Sequence, residues 1–476
     1  MLGEVNLALV TNPLAPAWLD ESVDANALVP GIWAESVARD GEGQITVGGV
    51  NVTTLAHEFA TPLYVIDENH AKSRAVQVRD AFAAACDRIG TKAKVYYAGK
   101  AFLCTEVVRW VSDAGLYVDV ASGGELAVTL AAGIDPAHIG FHGNNKSVAE
   151  IERAVAVGVG TIVVDSDWEI ERVADAARSA GRRQRVRLRV NSGVHANTHD
   201  FLATAHEDQK FGITIANAPE IVAEIRSHES LEFVGLHCHI GSQIFGTAGF
   251  AESASRLIGL HALLSEVAAV PELNLGGGFG IAYKPGDVPT DIETIADEIA
   301  AAVASECAKH NVPVPVLALE PGRAIIGTST FTLYSVGTTK EVTVEGHGAS
   351  ATRLYVSVDG GMSDNARPAL YGADYHVRLA NRVSLEPKQL VRIAGKHCES
   401  GDIVVYADYL PEDVEPGDLL AVAATGAYCW SLSSNYNYLA RPAVVAVANG
   451  HARVIVRGET EADLLARDAG IIGGSS

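Results

Sequence analysis

Eight short runs rich in apolar and β-branched residues recur in the middle of the chain, separated by alanine-rich stretches with helical periodicity. The runs begin at Ala93, Leu116, His138, Thr161, Arg185, Phe233, Leu273 and Val316. Strands that alternate with helices predict parallel βα units. Eight such units in about 230 residues match a closed (β/α)8 barrel, which typically spans about 250. An open doubly wound sheet is the alternative that this rhythm leaves open.

The sequence pattern changes after residue 325. Segments such as FTLYSVGTTKEVTV, RLYVSVDGG and DIVVYADYL follow without regular helices between them, which predicts a mainly antiparallel β-barrel or sandwich. Residues 1–60 are irregular apart from the strand-like piece QITVGGVNV, and we expect them to join this β domain. The predicted fold class is α/β, with an N-terminal segment over 1–60, a TIM-like barrel over 61–325 and a β domain over 326–476.

The charge balance excludes some partners. Lys and Arg number 36 against 58 Asp and Glu, so the formal net charge is −22. Nucleic acids and anionic membrane surfaces bind basic patches, so neither is an expected partner. The chain has no apolar run of 18 residues, no signal-peptide pattern and no CxxC pair among its six cysteines, so we expect a cytoplasmic protein without disulfides.

Unusual side chains stand at the predicted carboxyl ends of the barrel strands, where active sites of such barrels lie. They are Lys100, Asp119, His142 with Asn144, Asn191, His239 with Ser242, Gly276 to Gly280, and Glu320 with Arg323. A structural barrel needs few of these residues. Together they predict a site for an anionic, aromatic ligand.

Lys100 and the glycines after the seventh strand indicate how such a ligand is held. A lysine at a strand end can be desolvated and react as a neutral amine to form a Schiff base, although most lysines are plain surface residues. Gly276, Gly277 and Gly278 let backbone N–H groups close on an anion, and barrels often bind phosphate after strands seven and eight. A flexible loop is the alternative for the glycines.

His237, His239 and Glu320 are candidates for contacts to a ring. The two histidines alternate along a strand and face the same side, whereas Cys238 faces the other, so we predict no metal site. His239 is placed to stack on a planar ring, while His237 is interpreted as a buried core residue. Glu320 beside a pyridine nitrogen would keep that nitrogen protonated and make the ring a better electron sink; an ion pair with Arg323 is its alternative.

Three further segments are unusual as connections in a β domain: GMSDNARPALYG, KHCESGD and ATGAYCWSLSSNYN. Cys398 and Glu399 lie in the second of them. The alternative for Cys398 is a small buried hydrophobic residue, which is the usual state of a free cysteine.

Ten motifs occur in order: YAGKAF, DVASGGEL, HGNNKS, DQKFG, HCHIGSQ, GGGFG, EPGR, DGGMSDNARPALYG, GKHCESGD and GAYCWSLSSNYN. From about residue 60 to about residue 460 the sequence resembles the diaminopimelate decarboxylase family of fold-type III pyridoxal-phosphate enzymes. The resemblance implies a barrel plus a β domain and pyridoxal 5'-phosphate as cofactor. It implies decarboxylation of meso-2,6-diaminopimelate to L-lysine, the last step of lysine biosynthesis, by a homodimer with active sites shared across its interface.

The resemblance also assigns roles to single residues. Lys100 matches the Schiff-base lysine, His239 the histidine stacked on the ring, and Cys398 the proton donor from the other subunit. Further cofactor contacts are matched by Ser242, Gly277, Gly278, Glu320, Gly322, Arg323 and Tyr428. Substrate contacts are matched by Arg323, Arg367, Tyr371, Glu399 and Tyr428. Gly99 stands where the family pattern leads us to expect alanine, and the motifs assign no role to Asp119, His142 or His199.

Three rival functions share this fold class. Alanine racemase places an arginine, not a glutamate, at the pyridine nitrogen. Ornithine and arginine decarboxylases also use a cysteine motif, but their substrates lack a distal carboxylate. A non-catalytic pyridoxal-phosphate-binding protein is a barrel alone, and the β domain with its HCESGD motif argues against it. Release of carbon dioxide from diaminopimelate, from ornithine or from neither separates these functions.

Overall fold

The computed structural model describes residues 12–21, 24–194, 210–346 and 349–471. The chain divides into two compact units. The barrel unit comprises Ala71–Ile281 and Val288–Gly327, and the β unit comprises the described residues within Met1–His70, Ala282–Asp287 and Thr328–Ser476. This division places the strand Leu63–Asp67 in the β unit, whereas the sequence boundary at residue 61 assigned it to the barrel.

The first elements of the β unit are short. Strands β1 (Ala38–Arg39), β2 (Ile45–Val47) and β3 (Val50–Asn51) form a small antiparallel sheet, followed by helix α1 (Val52–Phe59) and strand β4 (Leu63–Asp67). The Asn51 side chain accepts a hydrogen bond from the Thr54 N–H and so starts α1, which satisfies one of the free donors at a helix N-terminus.

Strands and helices alternate through the barrel unit. The strands are β5 (Ala93–Ala98), β6 (Tyr117–Val120), β7 (Ile139–Phe141), β8 (Thr161–Val164), β9 (Gln184–Asn191), β10 (Ile213–Thr214), β11 (Leu231–His237), β12 (Glu272–Asn274) and β13 (Val316–Leu319). The helices are α2 (Glu68–Arg88), α3 (Thr105–Asp113), α4 (Gly123–Ala131), α5 (Val148–Val157), α6 (Asp167–Ser179), α7 (Ala218–Ser227), α8 (Ala248–Ser265), α9 (Ile292–His310) and α10 (Arg323–Ile326).

The barrel closes on itself. Its parallel order is β5-β6-β7-β8-β9-β11-β12-β13, with β13 pairing back to β5, and the two-residue strand β10 pairs with β9. The predicted (β/α)8 barrel is confirmed, and the open sheet is wrong. Strands β7 and β8 are buried along their whole length, as expected where helices cover one face and the barrel interior fills the other.

Local signals start and stop the helices that follow the strands. Ser147 and Glu150 form a reciprocal capping box at the start of α5, and Gly158 ends that helix in the left-handed region at φ +82°. Each device satisfies backbone groups that a helix end leaves free. The strand-to-helix loops therefore have fixed geometry at the carboxyl ends of the strands.

The second part of the β unit is a mixed sheet. Its elements are β14 (Thr330–Gly346), β15 (Ala349–Val358), α11 (Arg367–Tyr371), β16 (Val377–Leu379), β17 (Lys388–Ala394), β18 (Ile403–Pro411), β19 (Leu419–Val422), β20 (Ala443–Ala448), β21 (His451–Val456) and α12 (Glu461–Leu465). The order is β18-β17-β15-β14-β4-β20-β21, and β19 joins β14 to β16. Within the described part of this sheet the pairings are antiparallel except β15 with β17 and β4 with β20.

Among the residues that the structure describes, every helix is too short or too polar to span a lipid bilayer.

Candidate active site

A cavity of about 310 Å³ opens at the carboxyl ends of the barrel strands. Its wall is formed by Ala98, Gly99, Lys100, Asp119, Val120, Ala121, Glu125, His142, Gly143, Asn144, Arg189, Lys210, Phe211, His237, His239 and Glu320. Three of the residues assigned to the cofactor from the sequence, Lys100, His239 and Glu320, thus meet in one cavity. Ser242, Gly277, Gly278, Gly322 and Arg323 belong to the same unit but are not part of this wall.

Glu320 follows β13 and is bound by polar groups from two other strands. Its Oε1 accepts a hydrogen bond from the Asn274 amide at 2.6 Å, and His237 Nε2 lies 3.1 Å from Oε1 and 3.2 Å from Oε2. Burial alone would raise the pKa of Glu320, but His237, whose ring contacts the carboxylate, holds that pKa well below its usual range. The group is therefore an anion that can face a cationic ring nitrogen. His237 is buried, as expected, yet it belongs to the site.

His142 connects Glu320 to a second carboxyl group. Its Nε2 lies 3.3 Å from Glu320 Oε1 and 3.1 Å from Asp119 Oδ1. Burial lowers the pKa of His142 to about 4 and that of His237 to about 4, so both rings are neutral at pH 7. Potential metal-ligand atoms of His142, His237 and Glu320 lie within 4.8 Å of one another. The sequence analysis did not expect such a cluster, because it compared only His237 and His239 with the intervening cysteine.

Lys100 stands in the short 3-10 turn Gly99–Ala101 directly after β5. Its side chain lines the cavity and is exposed in this single chain, so the desolvated setting that we expected is not formed by one chain alone. A Cβ added at Gly99 would lie 2.7 Å from the Asp119 carbonyl oxygen. This close approach is the physical reason for glycine where the family pattern suggests alanine.

His239 is held against the glycine-rich loop that follows β12. The Gly277 N–H donates to His239 Nδ1 at 3.3 Å, and burial lowers the pKa of His239 to about 3. Gly278 has φ +109°, and a Cβ there would overlap the Gly241 carbonyl. The loop therefore requires glycine at this point, because a side chain would have no space beside the segment that carries Ser242.

Arg323 and Ser242 form a pair in the same unit. Arg323 Nη2 donates to Ser242 Oγ at 2.8 Å, and Arg323 is buried at the start of α10. A guanidinium beside a hydroxyl donor suits an anionic group. Asn191, by contrast, accepts a hydrogen bond from the Gly193 N–H and does not line the cavity.

The three unusual segments of the β unit lie next to one another. Asp402 accepts hydrogen bonds from the Met362 N–H at 2.6 Å and the His397 N–H at 2.8 Å, which joins the first two segments. The Cys398 N–H donates to Asn437 Oδ1 at 3.1 Å and thereby joins the third. Cys398 is exposed, so the alternative of a small buried hydrophobic residue is wrong.

The other assigned residues of the β unit differ in exposure. Tyr371 and Glu399 are exposed, whereas Arg367 is buried, donates to the Tyr375 hydroxyl and stacks 4.7 Å from the centre of the Tyr283 ring. Tyr428 has φ +67° in a segment with three more positive-φ residues that are not glycine: Ala424, Asn437 and Tyr438. Such strain is costly and tends to be retained at functional sites.

Four residues that matter to the cavity were not predicted from the sequence: Asn274, Glu125, Arg189 and Phe211. The Arg189 guanidinium lies 4.1 Å from the centre of the Phe211 ring. A signal was available, because Arg185, Arg187 and Arg189 alternate along β9 and so face the same side of that strand. His199, and Asp208 and Gln209 of the DQKFG motif, lie outside the described residues.

Comparisons with known proteins agree on one family. Residues 75–327 match the family model of the pyridoxal-dependent decarboxylase, pyridoxal binding domain. The diaminopimelate decarboxylase of Mycobacterium tuberculosis is 51% identical over 446 residues, covering 92% of this chain and 98% of the relative. That of Bacillus subtilis is 42% identical over 435 residues, covering 90% and 95%. The crystal structure of diaminopimelate decarboxylase from M. jannaschii in co-complex with L-lysine has a TM-score of 0.81 at 31% identity, covering 91% of this chain and 98% of that one. The chain therefore belongs to the diaminopimelate decarboxylases.

Proposed function

We propose that this chain converts meso-2,6-diaminopimelate to L-lysine and carbon dioxide with pyridoxal 5'-phosphate, the last step of lysine biosynthesis. The observation that carries this function is the cavity in which Lys100, His239 and Glu320 meet, in a chain 51% identical to a diaminopimelate decarboxylase. An amine, a neutral ring and a buried carboxylate are the groups that an aldehyde on a pyridine ring requires.

The residues present fit the cofactor. Glu320 is an anion stabilised by the Asn274 amide, and it faces the cavity as the partner for a protonated ring nitrogen. His239 is uncharged and held by the Gly277 N–H, so its ring is free of charge repulsion when it stacks. Gly277 and Gly278 of the glycine loop, with Ser242, Gly322 and Arg323, are the phosphate and cofactor contacts of the proposal.

When bound, the cofactor supplies an electron sink for the bond to the departing carboxylate. Lys100 would hold the cofactor through its side-chain amine. Glu320 keeps the ring nitrogen protonated, and His239 fixes the ring plane. Substrate carboxylate and ammonium groups would be oriented by Arg323, Arg367, Tyr371, Glu399 and Tyr428. Cys398 donates the proton that replaces carbon dioxide.

The proton donor comes from a second subunit in this proposal, which makes the enzyme a homodimer with shared active sites. In the chain alone Cys398 and Glu399 are exposed, and so are the large side chains of Leu370 and Tyr371 on α11 and of Tyr438. Exposed aromatic and aliphatic side chains in the unit that carries Cys398 suit an interface. A cytoplasmic location stays a prediction from the sequence.

The substrate assay tests the function directly. Purified protein loaded with the cofactor is given meso-diaminopimelate, ornithine or lysine, and carbon dioxide and amine products are measured. We expect L-lysine from diaminopimelate and discrimination against ornithine on the order of 10³-fold in kcat/KM. Ornithine has no distal carboxylate, so the arginine that binds this group would stay unpaired. Comparable turnover of ornithine favours the ornithine-type alternative, and no carbon dioxide from any substrate favours a non-catalytic protein.

Arg367 tests the distal carboxylate contact. Arg367→Ala should lose most activity on diaminopimelate and keep the absorbance of the bound cofactor, because this residue is assigned to substrate alone. Arg353→Ala is the matched control, since Arg353 also stacks on a tyrosine of the β unit and has no assigned contact. Unchanged turnover in Arg367→Ala contradicts the assignment.

Subunit mixing tests the shared site. Lys100→Ala and Cys398→Ala protomers are each inactive in the proposal, and hybrid dimers regain one intact site. No recovery after subunit exchange, shown by mass-labelled protomers, contradicts a proton donor from the partner.

A further inference from the structure

Asp119 and His142 line the cavity without an assigned role. His142 Nε2 lies between two carboxyl groups, 3.1 Å from Asp119 Oδ1 and 3.3 Å from Glu320 Oε1. A single imidazole nitrogen either donates or accepts, so it cannot satisfy two anions fully. Asp119 Oδ2 is buried and has no hydrogen-bond partner among the described residues. Besides the N–H proton of the neutral imidazole, one further proton must therefore be assigned within the group formed by Asp119, His142 and Glu320.

The donors around each carboxyl group decide where the proton sits. Glu320 receives the Asn274 amide at 2.6 Å and faces His237 Nε2 at 3.1 Å, which stabilises its anion. Among the described residues, the side-chain hydrogen-bond contact of Asp119 is the one to His142, and two carboxyl groups in one buried site rarely ionise together. The proton belongs on Asp119.

The charges facing Asp119 do not reverse this assignment. Lys100 after β5 and Arg187 on β9 favour its anion, while Glu125 on α4 and Glu320 after β13 disfavour it; Tyr96 on β5 is close to its side chain on the Gly140 side. The Arg187 guanidinium is itself paired with Glu272 at 2.6 Å, which offsets its charge. Burial and then Glu320 raise the pKa of Asp119 well above its ordinary value.

We propose that Asp119 is a positioning residue that donates its carboxyl proton to His142 Nε2 and thereby leaves Glu320 as the ionised member of the pair. His142 is then the Nδ1–H tautomer and gives Glu320 no hydrogen bond. A protonated ring nitrogen of the cofactor would supply the hydrogen-bond donor that His142 does not give to Glu320. This inference rests on the proposed function only for the identity of that ring.

The tautomer of His142 in the wild-type protein is the direct test. Histidine side chains are labelled with ¹⁵N, and the His142 signals are identified by their loss in His142→Asn. In the cofactor-free wild type, Nε2 should resonate as an unprotonated acceptor near pH 7. An Nε2–H in the wild type overturns the proposal, and this measurement needs neither a folded Asp119 variant nor any turnover.

Two substitutions separate proton donation from space filling. Asp119→Asn keeps a donor for His142 Nε2, so the tautomer should be retained and the dissociation constant for pyridoxal phosphate should rise less than threefold. Asp119→Leu removes the donor; His142 should change to the Nε2–H form, bond Glu320 and weaken cofactor binding at least tenfold. Asp165→Asn, at a buried carboxyl outside the cavity wall, is the control and should leave the His142 tautomer unchanged.

Equal weakening by Asn and Leu contradicts the proposal, because it would make Asp119 merely structural. If instead the wild type releases no carbon dioxide from diaminopimelate but shows the predicted tautomer, the proposed function fails and the assignment of the proton stands.

Discussion

Two buried glutamates stand at opposite ends of the barrel strands, and their surroundings differ. Glu272 begins β12 and is met by three cations, Lys94 at 2.5 Å, Arg185 at 2.8 Å and Arg187 at 2.6 Å. Glu320 follows β13 and is met by the Asn274 amide and two imidazoles that are neutral at pH 7. Cationic side chains of the barrel therefore neutralise the charge of Glu272, whereas the partners of Glu320 are uncharged.

The difference predicts a structural role for the charge of Glu272 and a functional role for that of Glu320. Burial alone would raise the pKa of Glu272, but Arg187 and Lys94 outweigh it and lower that pKa to about 2. Both carboxylate oxygens of Glu272 are occupied by these cations. Glu320 keeps its charge through weaker partners and faces a cavity, so a cationic ligand improves its surroundings. The comparison predicts opposite consequences when each glutamate is neutralised.

Neutralising Glu320 has the largest expected effect on activity. Glu320→Gln should lower kcat/KM on diaminopimelate by on the order of 10³-fold, because the ring nitrogen loses its anionic partner. The free energy of unfolding, measured by urea titration, should change by no more than about 1 kcal/mol, since no buried cation is left unpaired. If Glu320→Gln lowered the stability but not the activity, the proposed contrast between Glu320 and Glu272 would be wrong.

Neutralising Glu272 should do the reverse. Glu272→Gln leaves the fully buried Arg187 guanidinium without its anion, which typically costs about 3–5 kcal/mol of stability. The folded protein should still bind pyridoxal phosphate with a dissociation constant close to that of the wild type. Adding Arg187→Met to Glu272→Gln should restore part of the stability, because the unpaired charge is then removed. Lost cofactor affinity at unchanged stability would contradict the structural role.

The pH dependence of stability sharpens the comparison further, because Glu272 and Asp119 have pKa shifts of opposite sign. Because the pKa of Glu272 is lowered, its carboxylate stabilises the folded protein above pH 4.5, the ordinary pKa of the group. This stabilisation is lost as the pH falls toward 2. Because the pKa of Asp119 is raised, its protonated carboxyl group stabilises the folded protein fully below pH 3.8, the ordinary pKa of the group. This stabilisation is lost as the pH rises through the pKa of Asp119 in the folded protein. Each effect is limited to about 1.4 kcal/mol per pH unit.

Urea titrations across pH check both signs. The stability gap between wild type and Glu272→Gln should shrink on acidification. Relative to Asp119→Asn, the wild type should lose stability as pH rises. If the free energy of unfolding of the wild type instead increased relative to that of Asp119→Asn with rising pH, Asp119 would be ionised in the folded protein.

The sequence predicted the barrel and the core of its site because both depend on local pattern. Eight strand–helix repeats specify the barrel, and Lys100, His239 and Glu320 were predicted to meet at its mouth because each follows a strand. Asn274 was not predicted as a site residue because it lies within a strand segment of the sequence. It is two residues from Glu272 on β12, so the two polar side chains face the same side of that strand. Strand β4 was assigned to the barrel only because the domain boundary was placed at residue 61. Its pairing with β14 and β20 joins segments far apart in the chain, which local pattern does not encode.

The site of covalent cofactor attachment tests the account most directly. The cofactor-loaded protein is reduced with borohydride, digested, and its peptides are mapped by mass. The account predicts a pyridoxyl group on Lys100, in the turn after β5 and in the wall of the same cavity as Glu320. A pyridoxyl group on another lysine, such as Lys210 of the same wall, would contradict it.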